Sequence, residues 1–390
     1  MVPWGSASKA LLLVLVSVLI LAAGVLAAPV TAGAQAAEPS ETTTSTVPAP
    51  VVDRRVLAAG RDLVAAERER LAARRAVDGA ERQIADLDGR IARVDADLGP
   101  ARAERDLVVE RLRGRAGEVY RRRSAGLGAA LSLDGPATLA AGAHYADALA
   151  VVDGAALGRL QPVVDDLEAR RAALDAERRD VVEQRDSASA RLVDAEGVVV
   201  TVGARLAALG GTGVMGASEV DAATLAAWFR STGHVASLAG ATTVEDLAVR
   251  FVDEGAAEGV RGDLAFAQAI VETGWFAHAT DNNYSGIGAC DSCDGREVGF
   301  PNPAAGVRAQ IQLLRSYADP DSRASDLASP PEPTLFGATP ADAVRGFDRA
   351  VAKGVAPVWD AMGGGRWATD PTYAAKVLDV FAQIRVFRRA

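Results

Sequence analysis

The chain is short of the residues from which many functional sites are built. Its 390 residues include two cysteines and three histidines. Two cysteines permit at most one intrachain bridge, which excludes a disulfide-dense scaffold. A zinc centre usually takes four ligands, and His144, His234 and His278 add little to the cysteine pair. The expectation is therefore no metal and no cofactor. Excess positive charge is also lacking: the net charge is -9, so there is no basic surface for nucleic acid. Aromatic residues are scarce before Trp228. All nine phenylalanines and four of the five tryptophans lie at or beyond it. Aromatic side chains carry much of a compact core, so the first half of the chain cannot build a thick core of its own.

What is present divides the chain. Lys9 precedes an apolar run from Ala10 to Ala28, and Ala34-Gln35-Ala36 offers a small-x-small cleavage site. Residues 1–36 read as an export signal. The rival is an uncleaved membrane anchor, since the run is about a bilayer span long. Either reading places the rest outside the cytoplasm, secreted or wall-associated. Residues 37–52 are rich in Thr, Ser and Pro and read as a linker. From residue 53 to 208 Ala, Arg, Asp, Glu, Leu and Val dominate. Ile84, Leu87, Ile91, Val94, Leu98 and Ala101 recur at steps of three and four, a coiled-coil seam. Leu160, Leu167, Leu174, Val181 and Ala188 recur every seven residues. A Gly- and Pro-containing break separates the two arms, which predicts an antiparallel helical hairpin with solvated charges on its outer faces. Residues 209–217, with "GGTGVMGA", read as a flexible hinge.

Residues 218–390 form the globular domain. Thr242 with Glu245 suggests a capping box, and Asp263 a cap for the next helix. Asn302-Pro303 opens a helix with Val307, Ile311, Leu314 and Ala318 on one face. Asp370-Pro371 opens the last helix, with an apolar stripe of Tyr373, Val377, Val380, Phe381 and Ile384. Residues 282–300 read as loops and a short hairpin turning at Asp294-Gly295. The expectation is α+β, several helices around a small irregular β lobe.

Within "LAFAQAIVETGWF" a single glutamate, Glu272, stands near the helix end among apolar and aromatic neighbours. A carboxyl group so placed resists ionising, and its pKa rises. A carboxylic acid still protonated near neutral pH can give its proton to a leaving oxygen, as glycosidic cleavage requires. "AQAIVETGWF", then "NNYSGIG", then "WATDPTYAAKV" occur in that order. The set resembles the bacterial endo-β-N-acetylglucosaminidases, peptidoglycan-cleaving enzymes with a lysozyme-like fold, over about residues 242–386. The resemblance implies that Glu272 is the catalytic acid and that Asn283, Gly286 and Tyr373 occupy family positions. It also implies a sugar cleft involving Gln268, Trp275 and Trp367, with the glycan strand as substrate. Trp367 stands where the family has a tyrosine; an indole can stack on a sugar but lacks the phenolic hydroxyl.

A second carboxylate is expected if water is activated directly. Asp281, Asp291, Asp294 and Glu297 are candidates, with Glu297 ranked first. A lytic mechanism, needing one acid/base, stays open beside hydrolysis. So does a non-catalytic wall-binding scaffold. Cys290 and Cys293 form C-x-x-C, which fits a redox site, half a zinc site or a tight disulfide; in an exported domain the disulfide is preferred. The arm resembles that of division-associated peptidoglycan hydrolases, which implies docking on a membrane division complex. A passive spacer across the wall is the alternative.

Overall fold

The computed structural model describes residues 51–129, 135–288, 298–350 and 352–387, and these described residues fall within one compact unit. The segment read as export signal or anchor, the linker up to residue 50, and residues 289–297 lie outside the described residues. Among the described residues no helix is long and apolar enough to cross a membrane.

Two long helices form the arm, α1 (Arg54–Ala129) and α2 (Gly135–Ala208). The 76 residues of α1 correspond to about 110 Å at ~1.5 Å per residue. Leu87, Leu174 and Val181 are buried between the helices, with Ile84, Ile91 and Val94 packed on them, as the repeats predict. Cross-arm ion pairs record the register: Arg178–Asp88 at 2.5 Å, Arg171–Asp95 at 2.6 Å and Arg102–Glu168 at 2.7 Å. The partner on α2 moves back as α1 advances, so the arms are antiparallel. These pairs are exposed; each adds little stability but disfavours slipped alignments.

The base of the arm belongs to the globular core. Val56, Ala59, Leu63, Val64 and Leu71 of α1 and Leu206 of α2 lie in the same buried cluster as Phe229, Phe251, Phe266 and Trp359. A Cβ on Gly60 would stand 2.5 Å from Val358 Cγ1, so α1 presses directly on the loop before Trp359. Arg68 pairs with Asp319 at 3.1 Å and Asp321 at 2.8 Å.

This packing corrects the reading of residues 209–217 as a flexible hinge. Val214 and Met215 are fully or almost fully buried. The Val214 amide donates to the Pro357 carbonyl, Arg261 N to Val214 O, Gly216 N to Gly259 O and Trp359 N to Thr212 O. Backbone bonds on both sides and two apolar anchors hold the segment, so its glycines serve close packing rather than freedom. Glycine content alone cannot distinguish those two uses.

Among the described residues seven further α-helices follow: α3 (Ala222–Ser231), α4 (Val244–Glu258), α5 (Gly262–Glu272), α6 (Pro303–Ala318), α7 (Pro333–Phe336), α8 (Pro340–Asp348) and α9 (Tyr373–Val386). No β-strand occurs among the described residues. Gly213 and Val358, and Met215 and Val260, make isolated bridges, too short for a ladder. The expected α+β lobe is therefore not confirmed, and the Asp294-Gly295 turn lies outside the described residues.

The capping box falls one residue later than expected. Thr243 Oγ1 accepts from the Asp246 amide and Asp246 Oδ2 from the Thr243 amide, each at 3.1 Å. Asp263 is not a cap either: α5 starts before it, and its carboxylate instead takes the fork of Arg261 at 2.9 Å and the Glu219 amide at 2.7 Å. Asn302 caps α6 with Pro303 in its first turn, as read. The stripes predicted on α6 and α9 are buried.

Candidate active site

α5 positions the acid. It runs through the middle of the domain, buried from Gly262 to Ile270. It can lie this deep because α4 crosses it almost backbone to backbone: a Cβ on Gly262 would stand 2.1 Å from the Phe251 carbonyl oxygen. The helix ends at Glu272, and the chain then turns through three successive left-handed residues, Gly274, Trp275 and Phe276, with φ of 56°, 65° and 60°. Such backbone is costly outside glycine and persists only where surroundings impose it. Thr273 does much of the imposing. Its hydroxyl donates to Ala269 O at 2.6 Å and accepts from Phe276 N at 2.9 Å. Trp275 N bonds Ile270 O and Ser237 N bonds Phe276 O, both at 2.8 Å. The Glu-Thr-Gly-Trp-Phe run therefore ends the helix abruptly and leaves Glu272 half-buried at its tip.

Three elements converge on the carboxyl group. Tyr373, at the start of α9, donates its hydroxyl to Glu272 Oε1 at 2.5 Å. The Trp367 indole N–H donates to the same oxygen at 2.8 Å. The other oxygen faces Gly286, where a Cβ would stand 3.2 Å from Oε2. Gly286 has φ of 61°, so glycine suits it both for its backbone and for the room it leaves. Asn283 holds this loop: its side chain donates to Ile287 O at 2.9 Å and accepts from Ile287 N at 3.1 Å.

Burial raises the pKa of Glu272, and the hydrogen bonds from Tyr373 and Trp367 partly oppose it. The Tyr373 phenol is pushed well above its ordinary value, first by burial and then by the Glu272 charge. It therefore remains a hydrogen-bond donor across the working range.

Of the residues singled out from sequence, Glu272, Trp367, Tyr373 and Gly286 meet at one point, and Asn283 braces the loop beside it. Gln268 does not line a cleft. It is fully buried, donates to the Tyr373 oxygen at 2.8 Å and accepts from Gln310 Nε2 at 2.8 Å; direct contact with sugar is closed to it. Trp275 is engaged by rings, stacked against His234 at 4.1 Å and Trp228 at 5.6 Å between centroids. Asp281 is exposed, with a left-handed backbone, and its carbonyl accepts from Phe300 N at 2.8 Å. Glu297, Asp291, Asp294, Cys290 and Cys293 lie outside the described residues, and with them the second-carboxylate and disulfide expectations. No cluster of metal-binding side chains occurs among the described residues.

Sequence reasoning missed Gln310, Tyr317 and Thr273. Gln310 interrupts the apolar face of α6 between Val307 and Leu314 and is fully buried, a polar residue in an apolar stripe that could have been noticed. Tyr317, on the same helix, packs its ring 5.3 Å from that of Trp367 and backs the indole that reaches Glu272.

Residues 248–385 match the family model described as mannosyl-glycoprotein endo-beta-N-acetylglucosaminidase. An uncharacterized protein of Borreliella burgdorferi is 28% identical over 153 residues, 38% of this chain and 66% of that relative. The chain thus spans just under two thirds of the length of the curated relative it matches. No solved structure matches it. The matched stretch is a glucosaminidase domain, of the glycoside hydrolase class and the endo-β-N-acetylglucosaminidase type.

Proposed function

Starting from a glucosaminidase domain at residues 248–385, we propose that the protein is a peptidoglycan hydrolase that cuts the glycan strand after N-acetylglucosamine, with Glu272 as general acid. One observation carries the assignment: a carboxyl group at a helix tip, its pKa raised by burial, with one oxygen held by two donors and the other facing a glycine. Such a group stays protonated at a pH where an exposed glutamate is ionised. In the reaction its proton passes to the glycosidic oxygen as the bond from that oxygen to the anomeric carbon breaks. Water adds to the carbon and releases a proton that restores the acid, and the product is a reducing N-acetylglucosamine end. Gly286 leaves room beside Oε2, and the Trp367 indole N–H holds Oε1.

The apolar N-terminal run supports action outside the cytoplasm, on the wall. The arm supports a spacer or regulatory role there, and a membrane division complex is the partner that would make it regulatory.

Glu272→Gln keeps the shape and removes the transferable proton. General acid catalysis contributes roughly 10²–10⁴ in rate, so solubilisation of purified peptidoglycan by the full chain should fall by about that factor. Mass spectrometry of the released fragments should find reducing N-acetylglucosamine ends. Near-full activity of Glu272→Gln overturns the catalytic role; anhydro-muramyl ends replace hydrolysis by the lytic reaction; absence of any cleavage leaves a glycan-binding protein.

A further inference from the structure

Behind Glu272 lies a chain of buried side chains whose chemistry allows one direction only. It begins at a backbone carbonyl. Gln310 Nε2 stands 3.0 Å from Ala265 O, and a carbonyl oxygen can only accept. The Gln310 amide must therefore turn its nitrogen to that side. The same nitrogen donates to Gln268 Oε1 at 2.8 Å, which fixes the Gln268 amide with its own nitrogen at the far end. That nitrogen donates to the Tyr373 hydroxyl oxygen at 2.8 Å. A hydroxyl that accepts there gives its single proton elsewhere, and the acceptor in reach is Glu272 Oε1 at 2.5 Å. The orientation of both amides thus follows from the Ala265 carbonyl rather than from a choice between look-alike atoms. Gln310 Oε1 is buried without a partner, a cost that the arrangement bears.

Oε1 then receives two donors, the Tyr373 O–H and the Trp367 N–H. An sp² oxygen has two lone pairs, and both are taken. The acidic proton has no place on Oε1.

We propose that Gln310, Gln268 and Tyr373 form a one-way hydrogen-bond relay that keeps the acidic proton of Glu272 on Oε2, the oxygen facing Gly286. The relay residues are positioning residues. They do not touch the sugar; they decide which oxygen of the acid is loaded and hold it at the open side. This deepens the assignment of Glu272 as general acid and rests on it. Among the described residues, Tyr373 of α9 bonds the carboxyl directly, and Tyr317 of α6 packs behind Trp367.

The test is the pH profile of kcat/KM, measured on soluble peptidoglycan fragments with the full chain; its alkaline limb reports the pKa of the acid in the free enzyme. The Tyr373 bond favours the ionised form of Glu272, so Tyr373→Phe removes that preference and moves the limb to higher pH. A hydrogen bond to a charged group corresponds to a shift of about one to two pH units. Gln268→Met, similar in volume, leaves the Tyr373 hydroxyl free to turn and should move the limb the same way by less. Side chains that merely filled space would lower kcat without moving the limb. The relay is overturned if Tyr373→Phe keeps the wild-type limb, and this single-oxygen deletion decides the matter even where Gln268→Met fails to fold. The two assignments separate cleanly: an active Glu272→Gln removes the general acid itself, whereas an inactive Glu272→Gln beside an unshifted Tyr373→Phe removes only the relay.

Discussion

At Glu272 the two oxygen atoms of one carboxyl group have different surroundings, one held by Tyr373 and Trp367 and the other facing Gly286. Burial raises its pKa above the ordinary glutamate value of 4.5. The folded chain therefore keeps the proton in a range where the unfolded chain has lost it. The stability this group contributes is full below pH 4.5 and is lost as pH rises through the folded pKa. Glu272→Gln cannot ionise, yet its side-chain oxygen still accepts from Tyr373 and Trp367. Glu272→Gln should thus be more stable than wild type at pH 8 and equal to it at pH 4. The gain at pH 8 should be a few degrees at most, since ~1 kcal/mol moves Tm by about 2–4 °C for a domain of 150–250 residues. Thermal melts of both proteins at the two pH values check this, and parallel melting curves would show that the buried carboxylate carries no penalty.

At the scale of elements, the first turns of α1 matter more to the globular domain than to the arm. Val56, Ala59, Leu63, Val64 and Leu71 enter its core, and full burial of each large aliphatic side chain contributes about 1.5–3 kcal/mol. Their sum is comparable to the 5–15 kcal/mol that holds a whole domain folded. A fragment of residues 218–390 loses these side chains together with Leu206, Val214 and Met215. It should show no cooperative thermal transition by circular dichroism, and adding a peptide of residues 53–76 should restore some of the signal. A fragment that melts cooperatively, at the temperature of the full chain, would show that the base of α1 is decoration. α5 shows the complementary case: its apolar character follows from its own residues, but its depth depends on the crossing with α4 at Gly262.

For the molecule as a whole, the pinned segment 209–217 joins arm and globular domain rigidly. On the proposed function, any partner that reorients the arm moves the glucosaminidase domain with it, so the arm would set where Glu272 is presented without changing its surroundings. The outer arm, by contrast, touches Glu272, Trp367 and Tyr373 nowhere among the described residues. Deleting residues 100–168 and closing the hairpin with a short turn, while keeping both helix bases, should leave kcat/KM on soluble fragments within about twofold of wild type. Degradation of intact wall, where reach counts, should fall. A loss on soluble fragments would instead assign the outer arm a role in catalysis.

The local features were legible in the chain itself. The seam at Ile84, Leu87, Ile91 and Val94, the start of α6 at Asn302-Pro303 and the apolar stripe of α9 repeat or terminate within a few residues, so short-range periodicity and capping chemistry suffice to find them. The apolar setting of Glu272 was visible in its neighbours for the same reason. The rest depends on residues that meet from far apart. Tyr373 and Trp367 reach Glu272 across 101 and 95 positions, Gln310 reaches Gln268 across 42, and Gly60 packs against Val358. Nothing in a periodic pattern sets those encounters; the packing of helices sets them. Hence only the tertiary structure showed that Gln268 is a buried side chain bonded to Tyr373, that Trp367 supplies an N–H donor to Glu272, and that a glycine-rich stretch between arm and domain is a packed seam.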